Sequence, residues 1–63
     1  GKVNINTADK TALMTLPGIG ASKAEDIIQY RKENGSFQKI EDIKKISGIK
    51  DAAFNKIKEL ICV

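Results

Sequence analysis

The 63-residue chain has no histidine, no tryptophan, one proline and one cysteine, and aromatic residues make up only 5% of it. Without histidine, no Ser-His or Cys-His nucleophile pair can form. The one cysteine, Cys62, supplies neither an internal disulfide nor a structural zinc site. The lone thiol fits both a reducing interior and an extracellular chain and decides neither. Long apolar runs are missing too. The longest, Leu60, Ile61, Cys62 and Val63, falls far short of the roughly 20 residues of a membrane-crossing helix. Gly1 in place of Met, with no basic-then-apolar leader behind it, leads us to expect a longer parent chain.

What is present is 41% hydrophobic, and 11 basic residues against 8 acidic ones leave a net charge of +3. The length allows one domain. A chain this short buries only about 60% of its unfolded surface, which leaves little interior for an enclosed active site. Laid on itself, the sequence aligns residues 13–20, LMTLPGIG, with residues 43–50, IKKISGIK. Each copy reads apolar-x-x-apolar-x-Gly-Ile-x. Downstream, Ala24 faces Phe54, Ile27 faces Ile57 and Tyr30 faces Leu60. Two copies are fewer than a solenoid needs and point to a pseudo-symmetric pair sharing one core.

Helical periodicity follows each Gly-Ile. Ala21, Ala24, Ile27 and Ile28 share one arc, as do Ala53, Phe54, Ile57, Leu60 and Ile61 in the second copy, with charged residues opposite. Asn34-Gly35 predicts a C-terminal stop. Ahead of the hairpins, Thr7 is the expected N-cap of a helix over 8–14, and Ile40, Ile43 and Ile46 recur every three residues. Four helices are therefore expected. Val3 to Asn6 alternates apolar and polar, but it is too short to found a sheet and is expected as an extended lead-in that lays Val3 and Ile5 on the core. Pro17 cannot continue a helix, and Gly18 and Gly20 allow backbone angles closed to other residues, so residues 16–21 form a tight interhelical connection.

The helix after that turn starts with unpaired amides and a positive dipole end, which attract anions. Two glycines clear the approach, and Ser22 and Lys23 add a hydroxyl and a positive charge, so the expected ligand is a phosphate group. Taken singly, Pro-Gly-Ile-Gly also reads as a plain turn with Ile19 plugged into the core. Duplication favours the phosphate reading, because two anion-ready helix ends on one side of a basic domain match the two phosphate rows of duplex DNA.

The string Leu13-x-x-Leu16-Pro17-Gly18-Ile19-Gly20-x-x-x-Ala24 resembles the helix-hairpin-helix motif of DNA-binding proteins that do not read sequence. Residues 3–8 (VNINTA), Tyr30-Arg31-Lys32-Glu33-Asn34-Gly35-x-Phe37 and Ile40-Glu41-Asp42-Ile43 resemble the DNA-binding domain of the ComEA family of competence proteins. The likeness covers nearly the whole chain. It implies an all-α fold, a tandem helix-hairpin-helix domain with two pseudo-symmetric hairpins and four main helices in a SAM-like compact bundle. A single domain over 1–63 would hold hairpin 1 at about 7–35 and hairpin 2 at about 37–63. The resemblance further implies a receptor for incoming double-stranded DNA, not an enzyme; no cofactor and no metal-ligating residue is expected, while the monovalent cation that some helix-hairpin-helix proteins hold on hairpin carbonyls stays open, since residue types do not decide it. It implies an extracytoplasmic location through an anchor outside these residues, with other DNA-uptake proteins as partners. The family's phosphate contacts carry over to Gly18, Ile19, Gly20, Ser22 and Lys23, and to Gly48, Ile49 and Lys50. In the second hairpin Ser47 replaces the proline and Lys50 the second glycine, so the backbone there is expected to be less free to approach a phosphate. Lys50 either meets a phosphate as a point charge or stays solvated.

Other patterns fail on context. Gly18-Ile19-Gly20 follows a helix, not a strand, and Lys23 stands where a dinucleotide fingerprint needs Gly or Ala. Glu25-Asp26 and Glu41-Asp42 are neighbours pointing roughly 100° apart, which does not suit paired-carboxylate catalysis. Lys44, Lys45, Lys56 and Lys58 read as exposed faces, and Tyr30 and Phe37 as core. Arg31 is expected to lay its stem over the core and bring its guanidinium to its helix's last carbonyls. Two other functions suit the same residues. One is the DNA-holding module of a repair nuclease or glycosylase, and the other is a protein-interaction module.

Overall fold

The computed structural model describes residues Gly1–Val63, and its interior is built from thirteen buried side chains, all of them apolar. Both hairpins feed this single core. Leu13, Leu16, Ile19, Ala24 and Ile27 come from the first copy, and Ile43, Ile46, Ile49, Phe54 and Ile57 from the second. Isoleucine predominates, and its stiff β-branched side chain packs with little rotamer freedom to lose. Each such side chain contributes about 1.5–3 kcal/mol on burial. No helix is long and apolar enough to cross a membrane.

The four expected helices are present: α1 (Lys10–Leu13), α2 (Ala21–Asn34), a 3₁₀ helix (Ile40–Lys45) and α3 (Asp51–Ile57). The cap of α1 is Asp9, not Thr7. Asp9 Oδ1 accepts the Ala12 N–H at 2.9 Å, while the amides of Thr7 and Ala8 both donate to the Asn4 carbonyl in a preceding turn. The three-residue spacing of Ile40, Ile43 and Ile46 is the period of a 3₁₀ helix, and that is the helix formed. In α2, Ala24 and Ile27 are buried, but Ala21, the first residue of the helix on the same arc, is exposed. The helix ends where expected, at Gly35 with φ +84°, whose N–H donates to the Arg31 carbonyl.

The chain ends depart most from expectation. The lead-in is half of a minimal sheet in which β1 (Val3–Asn4) pairs in parallel with β2 (Ile61–Cys62), Val3 opposite Ile61. Helix α3 therefore stops at Ile57 instead of running on to Ile61. Leu60 falls on the outside at 44% exposure, and Ile61 enters the core from a strand. Arg31 does not cap its own helix. Its Nη1 donates to the Ile5 carbonyl at 3.0 Å, while Gly35 N–H and Asn34 Nδ2 serve the helix's last carbonyls.

Asn6 ties the lead-in to the segment between the hairpins. Its Oδ1 accepts the Phe37 N–H at 2.7 Å, and its Nδ2 donates to the Phe37 carbonyl at 3.0 Å, so one amide side chain satisfies both backbone polar groups of a single residue. Phe37 is buried and stacks on Tyr30 with ring centroids 5.2 Å apart. Asn6→Ala leaves both Phe37 backbone groups without their partner, and we expect it to cost about 1–3 kcal/mol in urea unfolding with an unchanged m-value. A loss below about 0.5 kcal/mol, the range of ordinary surface changes, would show that the clamp is dispensable.

Candidate nucleic-acid interface

The two hairpins are the same turn built twice. The Ile19 N–H donates to the Leu16 carbonyl at 3.1 Å, and the Ile49 N–H to the Ile46 carbonyl at 3.0 Å. Each turn has a glycine at its third position, Gly18 with φ +80° and Gly48 with φ +89°. An i to i+3 hydrogen bond with positive φ at that position is the mark of a type II turn, whose second position suits Pro17 and accepts Ser47. Ile19 and Ile49 anchor the turns, being 4% and 0% exposed. Their amides are thus engaged inside the hairpin, so of the expected contact residues these two act as anchors and not as free donors.

Gly20 and Lys50 are the N-caps of α2 and α3. Gly20 does not use the conformational freedom expected of it, because its φ of −94° and ψ of −168° lie in the extended region open to any residue. Lys50, at φ −110° and ψ −164°, has nearly the same backbone. Replacing the second glycine with lysine therefore leaves the path of hairpin 2 unaltered and adds only a side chain, contrary to the loss of backbone freedom expected there.

Neither helix start has a side-chain cap. The first helical bonds run from Ala24 N–H to the Gly20 carbonyl and from Phe54 N–H to the Lys50 carbonyl. The amides of Ala21, Ser22 and Lys23 in α2, and of Asp51, Ala52 and Ala53 in α3, precede those donors and carry no intrahelical bond. Ser22 is exposed and Lys23 half-buried in the first turn of α2. The chain's three ion pairs are Lys10 with Glu25, Lys44 with Asp51 and Lys45 with Asp42, so Lys23 and Lys50 have no carboxylate partner. The Lys23 stem runs across hairpin 2, where a Cβ added at Gly48 would stand 3.2 Å from Lys23 Cε.

Sequence reasoning missed an asymmetry. The first turn of α2 contains no acid, whereas that of α3 contains Asp51. Lys44 answers it at 3.4 Å and also lies over the Phe54 ring, 5.1 Å from its centroid. Lys44 is therefore a half-buried, locally paired cation instead of one more exposed charge. The signal was legible in the adjacency of Lys50 and Asp51. No three His, Cys, Asp or Glu side chains gather where they could hold a metal ion.

Comparison with known proteins fits this geometry. A family model described as a helix-hairpin-helix motif matches residues 1–62. The ComE operon protein 1 of Bacillus subtilis is 59% identical over 97% of this chain, which spans 30% of that protein. The human endonuclease/exonuclease/phosphatase family domain-containing protein 1 is 42% identical over 98% of the chain, which spans 11% of it. An uncharacterized protein of Haemophilus influenzae is 43% identical over 95% of the chain, which spans 54% of it.

The turn geometry separates the two glycines of hairpin 1. Gly18→Ala is expected to cost about 1–2 kcal/mol, the strain of a side chain at left-handed φ. Gly20→Ala, with open space around its Cβ position, is expected to be neutral or stabilising by up to about 1 kcal/mol. Equal losses in thermal unfolding would contradict the turn assignment.

Proposed function

The chain belongs to the helix-hairpin-helix family, and from that premise we propose that it binds double-stranded DNA through its backbone phosphates, with little sequence preference. The observation that carries this reading is the duplicated turn that opens two uncapped helix N-termini, with the stem of Lys23 lying across from one hairpin to the other. In the proposed complex the free amides of Ala21, Ser22 and Lys23 donate to phosphate oxygens of one strand. The Ser22 hydroxyl and Lys23 ammonium supplement them, and Gly18 and Gly20 leave the approach clear. Hairpin 2 meets the other strand through Gly48, the first amides of α3 and the ammonium of Lys50. Ile19 and Ile49 hold the turns in place from beneath. Base readout requires side chains projecting into a groove, and these turns present mainly backbone.

The wider role follows from the relatives. Likeness to ComE operon protein 1 supports a place in natural competence as the DNA-receptor domain of an uptake protein, held outside the cytoplasmic membrane and working beside other uptake proteins. In that role the domain holds DNA and does not cut it. A second reading has its own observation. The relatives named for an endonuclease/exonuclease/phosphatase domain contain this module as about a ninth of their length, which suits a DNA-holding part of a larger nuclease-like protein. Both readings assign these residues the same DNA contact.

Titration with unrelated duplexes at several salt concentrations tests that contact. With about four phosphates engaged, log K is expected to fall against log salt with a slope of roughly −3 to −4, alike for every duplex. Gly20→Val, whose extended backbone accepts a β-branched residue, is expected to weaken binding more than Lys56→Ala while the fold persists. Strong preference for one sequence, or equal losses in the two variants, would contradict backbone recognition by the hairpins.

A further inference from the structure

We infer that Gly48 is a seat for the stem of Lys23, through which the cation of the first hairpin is delivered to the second, so that one ammonium serves both. The inference rests on the DNA-backbone reading above and adds a positioning role that the turn alone does not require. Positive φ accounts for glycine at Gly18 and Gly48 alike. Space does not. A Cβ at Gly18 would meet nothing within 4 Å, whereas one at Gly48 would stand 3.2 Å from Lys23 Cε, closer than ordinary van der Waals contact.

The seat exists in one direction only. The residue that the repeat sets opposite Lys23 is Ala53, whose methyl group is too short to cross to Gly18 in the same way. Lys23 is half-buried although its neighbours Ala21 and Ser22 are exposed, and it has no carboxylate partner. A lysine stem laid on backbone, with its ammonium free at the end, holds the charge in place and has less rotamer freedom to lose on binding. The recipient is also the hairpin that needs it, since Asp51 stands in the first turn of α3 and opposes an approaching phosphate.

A double-mutant cycle tests this. Asparagine tolerates left-handed φ, so Gly18→Asn and Gly48→Asn keep the turn while adding a Cβ. Lys23→Met keeps the stem and removes the charge. In duplex binding, Lys23→Met is expected to make the salt slope shallower by about 1, and the loss it causes to be much smaller in the Gly48→Asn background than in the wild-type chain, because Gly48→Asn already displaces the ammonium besides crowding the Gly48 contact. The losses from Gly18→Asn and Lys23→Met are expected to multiply. Multiplying losses at Gly48 as well would overturn the seat while leaving backbone binding intact, whereas failure of the wild-type chain to bind duplex would overturn both. Should Gly48→Asn not fold, nuclear Overhauser contacts in the wild-type chain decide the matter. A cross-peak between the Lys23 ε-methylene and the Gly48 α protons supports the seat, and its absence overturns it.

Discussion

A buried isoleucine at the end of a four-residue turn is the constraint on which the rest depends. Ile19 and Ile49 each sink a side chain into the common core while their amides close the turn on Leu16 and Ile46. With both ends fixed, the residue between must take positive φ, and glycine does so at least cost. The chain then leaves the turn in an extended cap and enters a helix whose first amides face outward without a side-chain partner. The surface proposed to meet DNA is thus the reverse side of a packing solution. The core fixes the hairpins, and the hairpins fix where unpaired donors and lysine charges gather.

The two copies are not equal. Hairpin 1 has Pro17, two glycines and an acid-free first turn in a fourteen-residue helix. Hairpin 2 has Ser47, Lys50 and Asp51, is entered from a 3₁₀ helix and leads into seven residues of α3. Their backbone courses nevertheless agree closely, so the difference lies in electrostatics and not in shape. Asp51 weakens the positive end of α3, and Lys44 partly offsets it. In the proposed complex the first hairpin is the stronger anion site, and the second leans on cations brought by side chains.

Legibility in the sequence followed the range of the interactions. The hairpins, the core faces of α2 and α3 around Ala24, Ile27, Phe54 and Ile57, and the stop at Gly35 each have a local cause, and each could be read directly. Thr7 has a side chain that suits an N-cap, but its amide and that of Ala8 turn onto the Asn4 carbonyl, and this moves the helix start to Asp9. The β1–β2 pair joins the two ends of the chain through strands of two residues, too short to leave a pattern, and this placed Leu60 wrongly on the core face. The reach of Arg31 to the Ile5 carbonyl and the clamp of Asn6 on Phe37 span 26 and 31 residues of sequence, with nothing nearby to announce them. At the site, glycine at residue 20 suggested a special backbone, although the extended conformation there is shared by Lys50.

Backbone amide resonances followed during titration with a short duplex test the account most directly. The largest shifts are expected on residues 18–23 and 48–53, strongest in the first hairpin, with the exposed face of α2 around Gln29 and Glu33 unmoved. Shifts confined to that α2 face, with both turns unchanged, would contradict it.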